Sequence, residues 1–529
     1  MSFKKIHHAV PSLDSTVIGE HDSAAGLALF RGIPYASLSK RWTHSKVRNS
    51  LDSPFDATKF GPRAVQTETA TLVASSGVLD PVPIDHEFDC LNLNVTVPTG
   101  ALDGTDLLPV MVWIHGGGFT HGANSVSRYR PQKLCRLAMS NGTPIILVSA
   151  NYRLGPLGYA ASKDLGAQSL DENEESCNGN YGFVDQRNAF QWVQDHIQDF
   201  GGDPFNVTAF GVSAGSASIH FHILSGSPLF DRAILMSGSA PVLGPSPMAR
   251  HQAAWDALLH KCGFQNDEPT QRLEKLRAMD AMELTQKYTS QAIGAVGDGK
   301  LLPTTWSMWE ENPTSRCKSI IIGDVAVEAI IFDGVTRRIS FDGFKRCVTS
   351  LLAADEAQIF YERFGFVSKT SQEISEVQYF AALRNLLGVL MFQYPSLMVA
   401  EKFPGEVYLY HFEEQSPFPG PTLGLAYHGQ CALYTHQNEI DNEVMSEGGK
   451  TISREMGRLW TGFAHGQKPW EDWNNGEKFM RFGPSGQHAM LSTEDDELRE
   501  YEYLKEDWIR KNFDKALEIG SALLSGRYL

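Results

Sequence analysis

Ser213 stands between two glycines in Phe210-Gly211-Val212-Ser213-Ala214-Gly215-Ser216. The run before it, Asn206-Val207-Thr208-Ala209-Phe210, is apolar and β-branched and reads as a buried strand. The run after it, Ala217 to Leu224, can continue as a helix. A serine on a tight strand-to-helix turn is a nucleophile elbow: the strained turn lifts the hydroxyl clear of the sheet. Gly211 and Gly215 spare that turn the Cβ atoms that would obstruct it. The N–H of Ala214, at the positive end of the new helix, is free to face a developing oxyanion. Taken alone the pattern is also that of an ordinary glycine-rich loop, so its weight depends on the rest of the chain.

A second glycine run answers it. His115-Gly116-Gly117-Gly118-Phe119 follows the strand Val110–Ile114 directly. Glycines there let backbone N–H groups point into a cavity without side-chain obstruction, and acyl transfer needs two or three such donors. Gly117, Gly118 and Ala214 are the candidates for an oxyanion hole. A nucleophilic serine also needs a base, and the base a carboxylate to orient it. In the chain order Ser, acid, His, Glu328 follows the strand Ile320–Ile322, and His428 lies in a loop beyond the strand Val407–Phe412. Order alone does not single out His428 among 17 histidines.

The elements that must position these residues follow from the pattern. Residues 15–36 read as an antiparallel hairpin, and 55–90 as a long irregular loop. Strands are expected at Leu91–Val97, Pro109–Ile114, Ile145–Ala150, Ala233–Met236, Ile320–Ile322 and Val407–Phe412. A helix is expected from Phe183 to Phe200, its apolar face formed by Phe190, Val193, Ile197 and Phe200 and its end marked by Gly201-Gly202-Asp203-Pro204. Residues 245–315 and 340–400 read as mostly helical insertions over the C-terminal edge of the sheet, where ligands bind in open α/β sheets. Strands alternating with helices imply an α/β class with a large, mixed, mostly parallel sheet and helices on both faces. A length of 529 residues suggests about three domains, but motifs from His115 to His428 must converge on one site. One domain over residues 1–529 is therefore expected.

Composition excludes several roles. The net charge is −16 and no long basic run occurs, which argues against nucleic acid. No apolar run spans a bilayer, and Met1 to His8 has no apolar signal core. Sequons at Asn94, Asn141 and Asn206 read as chance. No cofactor or metal is expected, the partner is a small-molecule ester, and oligomeric state is left open.

Across nearly its whole length the chain resembles the carboxylesterase type B (cholinesterase/carboxylesterase) family of α/β-hydrolases. The resemblance is carried by Phe30-Arg31-Gly32-Ile33-Pro34-Tyr35-Ala36, Asp89-Cys90-Leu91-Asn92-Leu93-Asn94-Val95, Trp113 to Phe119, Asn151-Tyr152-Arg153-Leu154-Gly155, Gly179-Asn180-Tyr181-Gly182 with Asp185-Gln186, Phe200 to Pro204 leading into the elbow, and Ser237-Gly238-Ser239. It implies a Ser213–His428–Glu328 triad, with Gly117, Gly118 and Ala214 as oxyanion donors, and a serine carboxylesterase working through an acyl-enzyme. An acyltransferase using the same intermediate is the alternative. A silent neuroligin-like binding module is the other, disfavoured by the intact Ser213, Glu328 and His428.

The departures are informative. The resemblance implies disulfides at Cys90 and Cys262, but Ala64 and Lys275 stand where their partners would be, and seven cysteines is an odd number. A reducing, cytoplasmic setting is the expectation. Val212 occupies the elbow position where many relatives carry Glu, Cys431 the position of a usual acid, and no Trp falls between Ala64 and Cys90. A cation–π platform for choline is therefore missing there, leaving Phe119 or Trp306 as aromatics that could line the site, and uncharged esters are the expected substrates.

Overall fold

The structure, a computed structural model, describes residues 4–67, 84–171, 178–288, 293–302, 304, 315–366, 374–492 and 511–528. Twelve strands carry its main sheet: β1 (Lys4–Val10), β2 (Ser15–Asp22), β3 (Leu27–Pro34), β4 (Asn92–Pro98), β5 (Leu108–Ile114), β6 (Ile146–Ala150), β7 (Gly202–Val212), β8 (Arg232–Met236), β9 (Ser319–Val325), β10 (Glu406–Phe412), β11 (Lys478–Phe482) and β12 (His488–Ser492). They lie in the order β1-β2-β3-β4-β6-β5-β7-β8-β9-β10-β11-β12, and Phe55–Asp56 pairs beside β2 as a short thirteenth strand. The run from β6 to β11 is parallel, and antiparallel strands close both edges.

The parallel strands are largely apolar because both faces are covered. Alternate residues go to opposite cores. Val110, Val112 and Ile114 of β5 join one cluster with Ala209, Leu235, Ile322 and Leu409. Met111 and Trp113 join the other with Phe210, Ile234, Ile321 and Tyr408. Helices α1 (Gln132–Ser140), α2 (Tyr181–His196), α3 (Ala214–Leu224), α4 (Gln430–His436) and α5 (Glu447–Ala464) supply the two covers. Phe183, Phe190 and Trp192 of α2 and Ile219 of α3 lie in the first cluster. Leu134 of α1, Leu433 of α4 and Trp460 of α5 lie in the second.

The mixed sheet and its two-sided helical cover are as expected, with differences at the ends of elements. Strand β1 was not anticipated: its charged residues and largely exposed pattern fit an edge strand, which needs only one apolar face. The helix expected over Phe183–Phe200 starts at Tyr181, and its last turn, Ile197–Phe200, is a 3₁₀ helix ended by Gly201 at φ 81°. Of the expected 245–315 insertion, Met248–Cys262, Pro269–Ala278 and Ala281–Lys287 are helical. They pack a separate apolar cluster with Trp42, Leu157 and Tyr181. Residues 293–302 are not helical; Val296 bridges Ser246, in a stretch punctuated by Gly294, Gly297 and Gly299. In the second insertion, Glu376–Gly388 and Tyr394–Lys402 are joined by a π-helical turn, Val389–Gln393. Pro395, just after it, has no N–H to offer the preceding turn.

Candidate functional site

Strand β7 ends at Val212 and α3 begins at Ala214, leaving Ser213 alone on the turn at φ 57°, ψ −123°. That left-handed backbone is rare for a residue with a side chain. Its surroundings hold it there. The Ser213 N–H donates to the Met236 carbonyl at 2.9 Å, and the Ala217 N–H donates to the Ser213 carbonyl at 2.9 Å. The turn is packed so closely that a Cβ on Gly215 would come within 2.1 Å of the Ile114 carbonyl oxygen, and one on Gly238 within 2.3 Å of the Ser213 carbonyl oxygen. The glycines flanking the serine are thus demanded by the strand–helix crossing itself.

The loop after β5 folds against this turn. A Cβ on Gly116 would lie 2.6 Å from the Val212 carbonyl oxygen and 3.1 Å from the Ser213 Cβ. Gly117 has φ 110°, and its carbonyl accepts from the N–H groups of Thr120 and His121 at 3.0 and 3.2 Å. The N–H groups of Gly117, Gly118 and Ala214 donate to no acceptor among the described residues. Three side chains not anticipated from sequence hold the loop. The Tyr152 hydroxyl donates to the His115 carbonyl at 2.8 Å. The His115 ring stacks on Tyr152 with centroids 4.4 Å apart, and burial pushes its pKa down to about 4. Gln66 clasps Gly122 from both sides, donating to its carbonyl at 3.0 Å and accepting from its N–H at 2.9 Å. Gln66 lies in the very stretch in which Ala64 was singled out, but its role depends on a contact 56 residues away.

Glu328 opens a 3₁₀ turn just past β9 and is fully buried. Its Oε1 accepts from the Val325 N–H at 2.9 Å, and its Oε2 hydrogen-bonds Nδ1 of His428. The two loops are tied by a bridge between Val327 and Tyr427, with the Val327 N–H donating to the Ala426 carbonyl at 2.8 Å. Nε2 of His428 is buried and has no hydrogen-bond partner among the described residues. The histidine loop also abuts the elbow: a Cβ on Gly429 would be 3.9 Å from Cγ2 of Val212. The structure therefore brings Ser213, Glu328, His428, Gly117, Gly118 and Ala214 to one end of the parallel strands. The insertion helices reach this point, where Phe392 of the π turn packs on the His428 ring at 4.9 Å between centroids.

Other candidates fall elsewhere. His436 is buried beneath the sheet against Trp113, Tyr129 and Phe210, its Nδ1 hydrogen-bonded to the Ala432 carbonyl. Phe119 does not line an open site. It is buried against Tyr159 and Phe183. Trp306 lies outside the described residues. A second imidazole–carboxylate pair, His411 with Asp324, joins β10 to β9 in the strand register. Burial alone would lower the His411 pKa, but Asp324, Glu413 and Glu328 together raise it. In place of a charged elbow residue, Val212 is buried, and Cys431 packs 3.7 Å from the Ser237 hydroxyl. Among the described residues no cluster of His, Cys, Asp and Glu could hold a metal ion, and no helix is long and apolar enough to cross a membrane.

Such a sheet, with a strained serine at the strand–helix turn and an acid and a histidine on the later loops, defines an α/β-hydrolase. The chain belongs to the carboxylesterase family, whose model matches residues 15–507, and it is a carboxylic ester hydrolase. Pyrethroid hydrolase Ces2a of Mus musculus is 28% identical over 474 residues, which is 85% of this chain and 81% of that protein. Lipase 3 of Yarrowia lipolytica is 35% identical over 252 residues, 46% of this chain and 48% of that one. A PNB esterase of known structure superposes with a TM-score of 0.73 at 24% identity, covering 94% of this chain and 100% of that chain, a likeness of fold.

Proposed function

We propose that this enzyme hydrolyses uncharged carboxylic esters through an acyl-enzyme on Ser213. Ser213 Oγ forms a bond to the ester carbonyl carbon as its proton passes to Nε2 of His428. The oxyanion is held by the N–H groups of Gly117, Gly118 and Ala214. The alcohol leaves with the proton from His428, and water, deprotonated by the same nitrogen, releases the acid. Glu328 fixes the tautomer that leaves Nε2 free and stabilises the imidazolium. The observation that carries this reading is the His428 ring, bound to a buried carboxylate through Nδ1 and unpartnered at Nε2, on the loop that touches the elbow.

A panel of nitrophenyl and natural-product esters, each with and without an alcohol acceptor, tests it. Release of free acid at a rate independent of acceptor is expected. Product partitioning wholly to the transferred ester would make the enzyme an acyltransferase, and no turnover of any ester would return it to the class of silent binding modules.

The chain is further read as one domain in a reducing, cytoplasmic setting. Cys90 and Cys262 are free, and Lys275 is committed to an ion pair with Asp267 at 2.7 Å. Both thiols should titrate in the denatured, non-reduced protein. A mass showing either in a disulfide would overturn the cytoplasmic reading.

A further inference from the structure

A cavity of about 660 Å³ opens at the far end of α3 from the elbow. The helix is 11 residues long, so at 1.5 Å per residue the cavity lies about 16 Å from Ser213. It is walled by α2, by the turn that follows α3, by His44 and by the loop Asp298–Leu301.

Its polar groups are unevenly matched. Arg187 of α2 is half-buried and makes no hydrogen bond or ion pair among the described residues. Several buried or half-buried guanidinium groups elsewhere in the chain do pair with a carboxylate: Arg31 with Glu20, Arg41 with Glu87, Arg153 with Asp185, Arg316 with Asp231. The carboxylate in the cavity wall does not serve Arg187. Asp298 Oδ1 accepts from the N–H groups of Lys300, Leu301 and Leu302 at 2.9–3.0 Å, and its Oδ2 from Asn180 Nδ2 at 3.3 Å. Ser227, only 7% exposed, lines the same cavity, and its hydroxyl has no partner among the described residues. Burial, then the charges of Arg153 and Arg187, hold the His44 pKa down at about 4, so the ring adds a neutral polar edge. Leu229 and Leu301 make the wall apolar beside these groups.

We propose that this cavity is a second binding site, for a small organic monocarboxylate. An unpaired guanidinium matches a carboxylate in a fork of two hydrogen bonds. The Ser227 hydroxyl supplies a further donor, and the leucines receive a short hydrocarbon portion. The acid released by ester hydrolysis belongs to this class, as do carboxylates unrelated to the reaction.

The test uses the full-length enzyme with Ser213 blocked by phenylmethanesulfonyl fluoride, which closes the catalytic site to acids. Butyrate, benzoate, butyramide and inorganic phosphate are titrated by calorimetry. Saturable butyrate and benzoate binding is expected, weakening as salt is raised, with no butyramide binding. Arg187→Gln should weaken butyrate at least tenfold, Arg187→Lys by less, and Ser227→Ala a few-fold. Ser227→Ala also provides the test should Arg187→Gln fail to fold. Comparing the acids of the esters turned over fastest with unrelated carboxylates separates the two sources. Butyrate binding unchanged in Arg187→Gln, butyramide binding as tightly as butyrate, or phosphate binding more tightly than either acid would each overturn the proposal.

Discussion

Ser213 holds a backbone conformation that costs about 1–3 kcal/mol at sites where the surroundings impose it. It is retained because β7, α3 and the Gly238 segment leave the turn no room to relax. Replacing Ser213 with Ala keeps that turn and removes only the hydroxyl. Turnover of an activated ester should fall by about 10⁴-fold or more while thermal unfolding is little changed. A variant with wild-type rates would exclude Ser213 as the nucleophile. Glu328→Gln preserves size and removes charge, so kcat should drop by roughly 10²–10⁴ with KM nearly constant. Substrate charge is decided at the same scale. Val212 is buried between Gly116 and Gly429, and Cys431 stands beside the Ser237 hydroxyl. Choline esters and their 3,3-dimethylbutyl isosteres should therefore have kcat/KM values within about tenfold, a margin of 1.4 kcal/mol. A larger preference for choline would reveal a cation site.

Among the elements, the proposed oxyanion loop shows how packing, more than backbone freedom, demands a particular residue. Gly116 has no positive φ, yet a methyl there would press into the Val212 carbonyl and the Ser213 Cβ. Gly116→Ala should push the loop away from the serine. We expect kcat to fall by roughly 10²–10³, the scale of losing an oxyanion donor, with the unfolding temperature lowered by only a few degrees. Unchanged kcat would mean the loop accommodates the methyl without moving its donors. The acid and histidine loops are coupled in the same way, through the Val327–Tyr427 bridge, so the proposed catalytic pair is positioned by two adjoining parallel strands, β9 and β10. Phe392 fixes the outer face of His428 from a π turn, a feature that recurs at functional sites.

For the whole molecule, one sheet runs from Lys4 to Ser492 with a core on each face, and it encloses several histidines. His115, His251 and His436 are held at pKa values of about 4, and His220 and His222 at about 3, in each case chiefly by burial. The unfolded chain protonates these rings near pH 6.5. Their folded pKa values are depressed, so the stability they carry is complete above about pH 6.5 and is lost as pH falls towards 4. Each contributes about 1.4 kcal/mol per pH unit in that window. Five together would lose about 7 kcal/mol for each pH unit inside that window, comparable with the roughly 5–15 kcal/mol that holds a typical protein folded. Thermal scans from pH 8 to pH 4.5 should give one transition whose midpoint drops steeply below pH 6.5. A midpoint flat between pH 7 and pH 5 would show that these rings are not buried neutral.

Local chemistry was legible wherever a short run of residues must satisfy one tight geometry. Gly-x-Ser-x-Gly after an apolar strand determined the elbow, and His-Gly-Gly-Gly determined the donor loop, because both constraints act between near neighbours in the chain. The alternating parallel strands and their covering helices were legible for the same reason. Order along the chain did not by itself separate His428 from His436, eight residues on in the same loop-and-helix stretch; the family resemblance did. Only the stacking of β9 beside β10 brings one ring to Glu328 and buries the other under Trp113. Gln66, Tyr152 and Phe392 were likewise invisible, because each acts on a partner dozens of residues away. Arg187 looked like any arginine on a helix. That it faces a cavity without a carboxylate of its own is a property of how α2, α3 and the 298–301 loop meet, and the tertiary structure alone decides it.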